Sequence, residues 1–540
     1  MRSPARLVLL AFDACDVDLV RDLTAVGKLP TFRKLFDGWA SAKIKNPYAI
    51  FVGALWPSFF TARSPSRIGF HCWETISPET YQRRFPNPRE IVGEPFWRQL
   101  SAAGRRIAIL DVPHARRDGP VNGLEIFEYG CHDRHFGFHT SPPELVHDVV
   151  DRVGLHTVFT VDPYTERAFA PDDYVHREGF LRTATEERAL LRDMLDGLER
   201  KRRLSTWILE QGGWDLFLSV FGESHAIGHQ SWYLHDPNHP RHDVALADSL
   251  GDPLEQVYMA LDRALADHLA MIGDESATLV LLSHGMGPHY DGTHLLEEIL
   301  TRIDACDQRG FGGSPVVRLA KASWLKLPIE SRAVLSPALH AFIRRYVSWA
   351  HPVPCSDGDV GPAHRARRRF FLSPNNFVYG GVRINLAGRE PSGLVQPGTE
   401  YDAVCEQIRR DLLTLVNVDT SEPVVRAVKR TEDHYSRAIV DELPDLFIEW
   451  NRNALIETVW SPKTGIVHAP YTHWRTGDHR PDGYLFATGP NIQSGADFGE
   501  IFIGDLGPTI CAMLGHELKG VDGKPVPVLA ERFTDEANDA

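Results

Sequence analysis

The chain has 540 residues, and its 58 Lys and Arg against 72 Asp and Glu give a formal net charge of −14. Hydrophobic residues make up 43% and charged residues 24% of the chain, a balance that excludes a disordered or low-complexity protein. Because binding to a nucleic-acid backbone requires clustered Lys and Arg, the acidic balance argues against a nucleic-acid partner. Four arginines lie within 365–369, and a short run of this kind predicts a solvated face.

The cysteines and apolar runs predict the compartment. The seven cysteines are widely spaced and form no CxxC pair, which favours a reducing compartment over disulfides or a thiolate zinc site. The apolar run at 7–12 is shorter than a secretory signal and ends at Asp13. No apolar run approaches the roughly 20 residues that span a bilayer. We therefore expect a soluble, cytoplasmic protein with no membrane association.

Short apolar runs that end in polar or ionisable residues recur along the chain and predict strands buried on both faces. These runs are 7–12, 106–110, 215–221, 278–282 and 483–487. Helical patterns such as 253–272 lie between them, which predicts an α/β fold with a mostly parallel sheet. We expect one catalytic domain over 1–540, with cap or lid insertions at about 115–200 and 300–375, where the alternation is interrupted.

Two histidines follow the predicted strand at 215–221. His225 and His229 stand at i and i+4, so on a helical turn both imidazoles project from one face and can share a metal. Surface or helix-capping histidines are the competing explanation for this pair, since the chain contains 25 histidines.

Three further residues stand beside predicted strands, where the chemistry of open α/β sheets collects. Asp13 follows the first strand, and a helix cap is its alternative role. His284 follows the strand at 278–282, and a buried histidine bonded to a backbone carbonyl is its alternative. His479 precedes the strand at 483–487, and a polar loop with a turn at 482–483 is its alternative.

The sequence resembles the alkaline phosphatase superfamily, specifically its type I phosphodiesterase/nucleotide pyrophosphatase branch, and the matching segments occur in the same order. The resemblance rests on Asp13, residues 29–35, 56–65, 225–229, 284–286, 477–483 and 505–515. It implies an alkaline-phosphatase-like three-layer sandwich, with a mostly parallel central sheet and helices on both faces.

The resemblance also implies two metal ions, commonly zinc. The first site maps to His225, His229 and His479, and the second to Asp13, Ser283 and His284. The chain departs from the family at three positions: His225 and Ser283 stand where the family has Asp, and Val52 stands at the nucleophile position. No Ser or Thr lies between Ser41 and Ser58.

The lost carboxylates decide how many metals to expect. Two close dications repel strongly at low dielectric, and the second site keeps one carboxylate. Three imidazoles with an open position suit a single zinc that activates water. We therefore expect one firmly bound zinc, or another divalent metal, and a weak or absent second ion. Asp13 and His284 are then expected to act as base, acid or orienter.

The expected activity is a metal-dependent hydrolase of a phosphate or sulfate ester, foremost a phosphodiester, attacking through a metal-activated water. The substrate is expected to be a small anion, with Arg475 and Arg480 as contacts. One alternative is an enzyme on the same scaffold with changed chemistry, namely group transfer or hydrolysis of another bond with the three-histidine metal. The other is a non-catalytic ligand-binding descendant.

Overall fold

The computed structural model describes residues 5–131, 134–158, 182–308, 360–436, 442–471 and 475–530. The chain divides into two compact units. The first unit comprises Met1–Phe70, Asn87–His289 and His473–Ala540, and the second comprises His71–Pro86 and Tyr290–Thr472.

The first unit is built on a nine-stranded sheet, and the second on smaller antiparallel sheets. The strands of both units in chain order are β1 (Ala5–Phe12), β2 (Ala40–Lys45), β3 (Thr75–Ile76), β4 (Arg83–Arg84), β5 (Ile107–Leu110), β6 (Gly123–Phe127), β7 (His139–Ser141), β8 (Trp214–Phe221), β9 (Ala277–Leu282), β10 (Gly285–Pro288), β11 (Phe370–Ser373), β12 (Tyr379–Ile384), β13 (Val416–Asn417), β14 (Val425–Arg430), β15 (Leu446–Trp450), β16 (Thr458–Ser461), β17 (Gly465–His468), β18 (Gly477–Arg480), β19 (Gly483–Thr488) and β20 (Asp497–Phe502).

The helices flank these sheets. In chain order they are α1 (Val17–Ala25), α2 (Pro30–Gly38), α3 (Phe51–Thr61), α4 (Phe96–Ala102), α5 (Leu145–Val153), α6 (Ala184–Glu210), α7 (Glu223–His235), α8 (Val244–Leu250), α9 (Pro253–Met271), α10 (Thr293–Gln308), α11 (Pro362–Arg365), α12 (Thr399–Leu412), α13 (Leu506–Met513) and α14 (Pro527–Ala530). Helix α9 confirms the helix predicted at 253–272.

The nine-stranded sheet of the first unit has the order β20-β2-β19-β9-β1-β8-β5-β6-β7. The strands β9, β1, β8, β5 and β6 run parallel to their neighbours in that series, as do β2 and β20. Strand β19 runs antiparallel to both β9 and β2, and β7 runs antiparallel to β6. All five predicted strands lie in this sheet, which confirms the α/β class with a mostly parallel sheet.

Helices cover both faces of this sheet. Alternate residues of β1, including Val8 and Leu10, pack into a hydrophobic core with residues of α1, α2, α6 and α9. On β6, Leu124 and Ile126 belong to the same core. Glu125 between them points to the other face, where its Oε1 accepts from Trp97 Nε1 of α4 at 2.9 Å. The sheet is therefore the middle of three layers.

The second unit has its own core. Its four-stranded antiparallel sheet has the order β11-β12-β15-β14, and a three-stranded sheet has the order β13-β16-β17. Leu296, Ile299 and Ile303 of α10 pack with Ile408 of α12 and with the four-stranded sheet. The residues at 365–369 belong to this unit.

The arginine run at 365–369 is not a solvated face, which corrects the prediction. Arg368 is buried, and its Nη1 lies 2.6 Å from Glu297 Oε1. Arg369 Nε lies 2.8 Å from Asp304 Oδ1. These arginines form ion pairs within their own unit, because α10 presents acidic residues to them.

The expectation of one domain over 1–540 with two insertions stays a prediction. The chain divides by its contacts into the two compact units given above. The described part of 115–200 contributes β6 and β7 to the central sheet. Residues 159–181 and 309–359, which make up much of the two predicted insertions, lie outside the described residues. Among the helices that are described, none combines the length and hydropathy needed to cross a membrane.

Candidate metal centre

The carboxyl ends of three neighbouring strands bring the predicted residues to one edge of the central sheet. Asp13 directly follows β1, α7 begins two residues after β8 ends, and His284 lies two residues after the end of β9. Because β8, β1 and β9 are parallel neighbours, their carboxyl ends meet. His479 lies on β18, opposite Met286 of β10 in a two-stranded antiparallel ribbon.

Helix α7 carries the histidine pair and is buried over most of its length. His225 and His229 share one face of it, as their spacing predicts. The helix is kinked at Ser231, where φ is −123° and ψ is 15°. Thr476 bridges the kink, since its N–H donates to the His229 carbonyl at 2.8 Å and its Oγ1 accepts from Tyr233 N–H at 3.4 Å. The kink therefore ties α7 to the segment that leads into β18.

Three imidazole nitrogens converge on one point. His225 Nε2 lies 3.0 Å from His229 Nε2, which lies 3.1 Å from His479 Nε2. The candidate ligand atoms of all three residues lie within 4.8 Å of one another, and all three residues are buried. A tetrahedral zinc site with Zn–N bonds of about 2.05 Å holds its nitrogens about 3.3 Å apart, which is close to these spacings.

The partners on the far side of two rings assign their tautomers. His229 Nδ1 lies 2.8 Å from the Gly477 carbonyl, which can only accept, so this nitrogen carries the proton. His225 Nδ1 lies 2.6 Å from Asp13 Oδ2 and donates to that carboxylate. In their neutral forms, both rings therefore direct an Nε2 lone pair at the common point.

This arrangement fits a divalent metal ion. Two lone pairs that face each other at 3.0 Å in a buried site repel unless a cation lies between them. Neutral imidazoles are common ligands of zinc, and three of them with an open fourth position are typical of a catalytic zinc. His225, His229 and His479 therefore have the chemistry and spacing to hold one such ion.

Asp13 supports this set of histidines from outside. Its Oδ2 accepts from His225 Nδ1, and its Oδ1 accepts from Trp56 Nε1 at 2.9 Å and from Ser283 Oγ at 3.1 Å. Burial opposes ionisation, but the charge and hydrogen bond of His225, with smaller contributions from His284 and Trp56, hold the pKa of Asp13 well below its usual range. Asp13 is therefore an ionised carboxylate whose two oxygens accept hydrogen bonds from neighbouring side chains, and its role as a metal ligand stays a prediction.

His284 contacts the set in the same indirect way. Its Nε2 lies 2.9 Å from His479 Nδ1, and its Nδ1 lies 2.9 Å from Ser283 Oγ. Burial lowers the pKa of His284 to about 4, although the charge of Asp13 acts in the opposite direction. The ring is therefore neutral near pH 7. Both ring nitrogens contact side chains here, and the ligation of a metal by His284 stays a prediction.

The two predicted substrate contacts lie in different places. Arg475 Nη1 lies 3.4 Å from His229 Nε2, at the margin of the three-histidine set. Arg480 follows His479 on β18 and points to the opposite face of the ribbon. A Cβ added to Gly287 would come within 2.4 Å of Arg480 Nε, so the arginine lies across that glycine. The structure brings Arg475, and not Arg480, to the centre.

The first turn of α3 presents apolar side chains at the position where the family resemblance implies a nucleophile. Phe51, the first residue of α3, is fully buried, and its ring centroid lies 5.6 Å from that of His284 and 6.4 Å from that of His479. Val52 follows it and is half-buried. Ser58, the next hydroxyl along the chain, is fully buried about two turns further into the helix. No hydroxyl therefore occupies the start of α3.

The roles of three supporting residues escaped the sequence analysis. Trp56 donates to Asp13, Thr476 bridges the α7 kink, and Asn46 Nδ2 donates to the carbonyls of Ser283 and Pro481 at 2.9 and 2.8 Å. A tryptophan in an apolar helix is typical of a core, and a lone Thr carries no spacing signal. Asn46 directly follows β2, so predicting that strand would have identified Asn46 as a polar residue at a strand end.

The chain is similar to one protein family and to solved structures of one murine protein. The family model described as type I phosphodiesterase/nucleotide pyrophosphatase matches residues 7–482. Comparison with curated protein sequences gives no match. Among solved structures, murine ectonucleotide pyrophosphatase/phosphodiesterase 5 is 10% identical, with a TM-score of 0.45 over 96% of this chain and 97% of that chain. An inactive form of the same murine protein in complex with AMP is 10% identical, with a TM-score of 0.44 over 97% of this chain and 98% of that chain.

Proposed function

The chain belongs to the type I phosphodiesterase/nucleotide pyrophosphatase family, and we propose that it is a metal-dependent hydrolase of a phosphate ester, foremost a phosphodiester. The observation that carries the proposal is the convergence of the His225, His229 and His479 Nε2 atoms. A single divalent ion there, preferably zinc, supplies Lewis acidity toward the ester and lowers the pKa of water.

Arg475 is the proposed substrate contact. Its guanidinium lies beside His229 at the margin of the three-histidine set, where a phosphate oxygen near the centre can accept from it. A guanidinium binds such an anion through two parallel hydrogen bonds, and its positive charge adds to that of the ion. Asp13 is the compensating carboxylate identified at this site, so a small anionic substrate fits the local charge.

The start of α3 supports hydrolysis without a phosphorylated enzyme side chain. Phe51 packs against the rings of His284 and His479, and Val52 offers no nucleophilic atom. Asp13 and His284 keep the metal-facing rings oriented, since each contacts one ring of the set through a hydrogen bond. Water is therefore the proposed nucleophile.

The test is to strip the full-length protein with a chelator and to add back Zn²⁺, Co²⁺, Mn²⁺ or Mg²⁺ separately. Hydrolysis of bis-p-nitrophenyl phosphate, p-nitrophenyl phosphate and p-nitrophenyl sulfate is measured for each ion. We expect activity on the diester to return with about one equivalent of zinc. A protein that binds no metal, or one that is active without it, contradicts the proposal, and a preference for the sulfate reassigns the substrate.

A pre-steady-state measurement separates water attack from a covalent intermediate. An enzyme that forms a phosphorylated side chain can release the first p-nitrophenol in a burst before steady turnover. We expect no burst with the diester. A burst together with an acid-stable phosphorylated residue would show a side-chain nucleophile and contradict direct attack by water.

A further inference from the structure

We propose that Ser283 is a positioning residue that sets the tautomer of His479 through His284 and so keeps His479 Nε2 available to the metal. The inference rests on the proposed metal centre. The hydrogen bonds of the Ser283 hydroxyl join it to Ala14, Asp13 and His284, none of which belongs to the three metal-facing histidines. Its basis is a chain of hydrogen bonds from His479 through His284 and Ser283 to Asp13.

The hydroxyl of Ser283 has no spare hydrogen-bonding capacity. A serine hydroxyl offers one proton and two acceptor lone pairs. Oγ accepts from the Ala14 N–H at 3.2 Å, lies 2.9 Å from His284 Nδ1 and donates to Asp13 Oδ1 at 3.1 Å. With the proton given to Asp13, the second lone pair of Oγ can only accept from His284 Nδ1–H.

The direction of each hydrogen bond from His479 to Asp13 follows from this one hydroxyl. If His284 Nδ1 carries the proton of its neutral ring, then His284 Nε2 is an acceptor. It therefore accepts from His479 Nδ1–H at 2.9 Å, which leaves a lone pair on His479 Nε2. The reverse direction would place a proton on His479 Nε2, pointing at His229 Nε2 only 3.1 Å away, and would block that nitrogen as a ligand.

One carboxylate thus orders two of the three metal-facing rings. Asp13 accepts directly from His225 through Oδ2, and it anchors the chain that ends at His479 through Oδ1. The third ring, His229, is set independently by the Gly477 carbonyl. Ser283 is fully buried and the residues it joins are buried, so bulk water is poorly placed to replace its hydroxyl.

The test compares Ser283→Ala with Ser224→Ala. Ser224 is an equally buried serine whose Oγ donates to the Asp13 carbonyl at 2.7 Å, outside the chain that leads to His479. Ser283→Thr, which keeps the hydroxyl, is the conservative variant. For each full-length protein, the zinc dissociation constant is measured by chelator competition, the Co²⁺ absorption spectrum is recorded, and the thermal stability of the metal-stripped form is checked.

We expect Ser283→Ala to weaken zinc binding by about 10–100-fold, the usual effect of losing a hydrogen-bond partner behind a metal ligand, and to change the Co²⁺ spectrum. Ser224→Ala is expected to bind zinc as the unmodified protein does, and Ser283→Thr to recover most of the affinity. Unchanged affinity and spectrum in Ser283→Ala overturn this inference but leave the proposed function intact. Equal losses in both alanine variants also overturn it, since they show a general packing effect. An unmodified protein that binds no zinc or cobalt overturns both proposals.

Discussion

Helix α7 carries the histidines of two Asp–His pairs. The N–O distance is the same in both pairs, but the surroundings differ. His225 Nδ1 lies 2.6 Å from Asp13 Oδ2, and His235 Nδ1 lies 2.6 Å from Asp252 Oδ2. The first pair has side chains 9% and 6% exposed, whereas both side chains of the second are 25% exposed. The ring of His235 packs beside Trp232, with centroids 5.3 Å apart.

An Asp–His pair alone does not make a candidate metal site. At His225 the opposite ring nitrogen meets a second histidine from the same helix, and His479 of the distant β18 completes the set. At His235 the carboxylate of Asp252 also caps α9, by accepting from Leu254 and Glu255 N–H. The buried pair therefore orients one ring of the three-histidine set, and the partly exposed pair joins two helices.

The largest expected effect comes from removing a ring of the centre. We expect His229→Ala to lose its metal. Its kcat/KM is expected to fall about a thousandfold, which corresponds to a loss of about 4 kcal/mol of transition-state stabilisation. His235→Ala, six residues further along the same helix, is expected to keep both the metal and the activity. Elemental analysis and diester hydrolysis measure the two variants side by side. If His229→Ala retained its metal, His229 would be no more important for metal binding than His235, and the proposed centre would be wrong.

The carboxylates of the two pairs are compared by amide substitution. In Asp13→Asn, one acceptor becomes a donor that faces the His225, Trp56 and Ser283 donors, so we expect zinc affinity to fall by about 10–100-fold. In Asp252→Asn, the side-chain oxygen still caps α9, so zinc affinity is expected to stay unchanged. Chelator competition on both proteins checks this. Equal affinities for zinc would contradict the orienting role of Asp13.

A second carboxylate beside the buried pair tests whether charge limits the number of metals. Ser283→Asp places an acidic group next to Asp13, and a second cation can offset their repulsion. We expect metal content to rise from about one toward two per chain in excess zinc, with weaker binding of the second ion. Metal titration by elemental analysis measures the change. If uptake did not rise, missing charge would not be the reason for a single ion.

The smallest expected effect is the pH dependence of the partly exposed pair. Burial lowers the pKa of His235, but the hydrogen bond and charge of Asp252 outweigh it, so this pKa is raised. Burial raises the pKa of Asp252, but the hydrogen bond and charge of His235 outweigh it, so that pKa is lowered. The pair therefore stabilises the fold fully between about pH 4 and pH 6.5, the ordinary values of the two groups.

Above that window, stability is lost as pH rises through the raised pKa of His235, and below it as pH falls through the lowered pKa of Asp252. His235→Gln is expected to lower the melting temperature at pH 5.5 and to have a smaller effect at pH 8.5, with a change in free energy below about 1 kcal/mol. Calorimetry at both pH values measures this. An equal effect at both would show that the pair acts through packing alone.

The central strands were predictable because a strand buried on both faces has apolar residues at consecutive positions. Strand β2 was missed because its residues alternate between buried and exposed, and β18 because Gly477, Asp478, His479 and Arg480 form a strand only by pairing with β10. Among the site residues, the histidines were visible through spacing and position after strands. The hydrogen bonds that join Asp13 to His225 and His284 to His479 connect residues more than 190 positions apart, which no local pattern encodes.

The ribbon of β10 and β18 has a consequence for how the centre is assembled during synthesis. His229 and His479 are 250 positions apart along the chain, so a ribosome working at about 5–20 residues per second needs about 12–50 seconds to go from one to the other. Until β18 emerges, the nascent chain offers only the two histidines of the set that lie on α7. A metal ion can therefore be held by all three rings only after β18 has paired with β10.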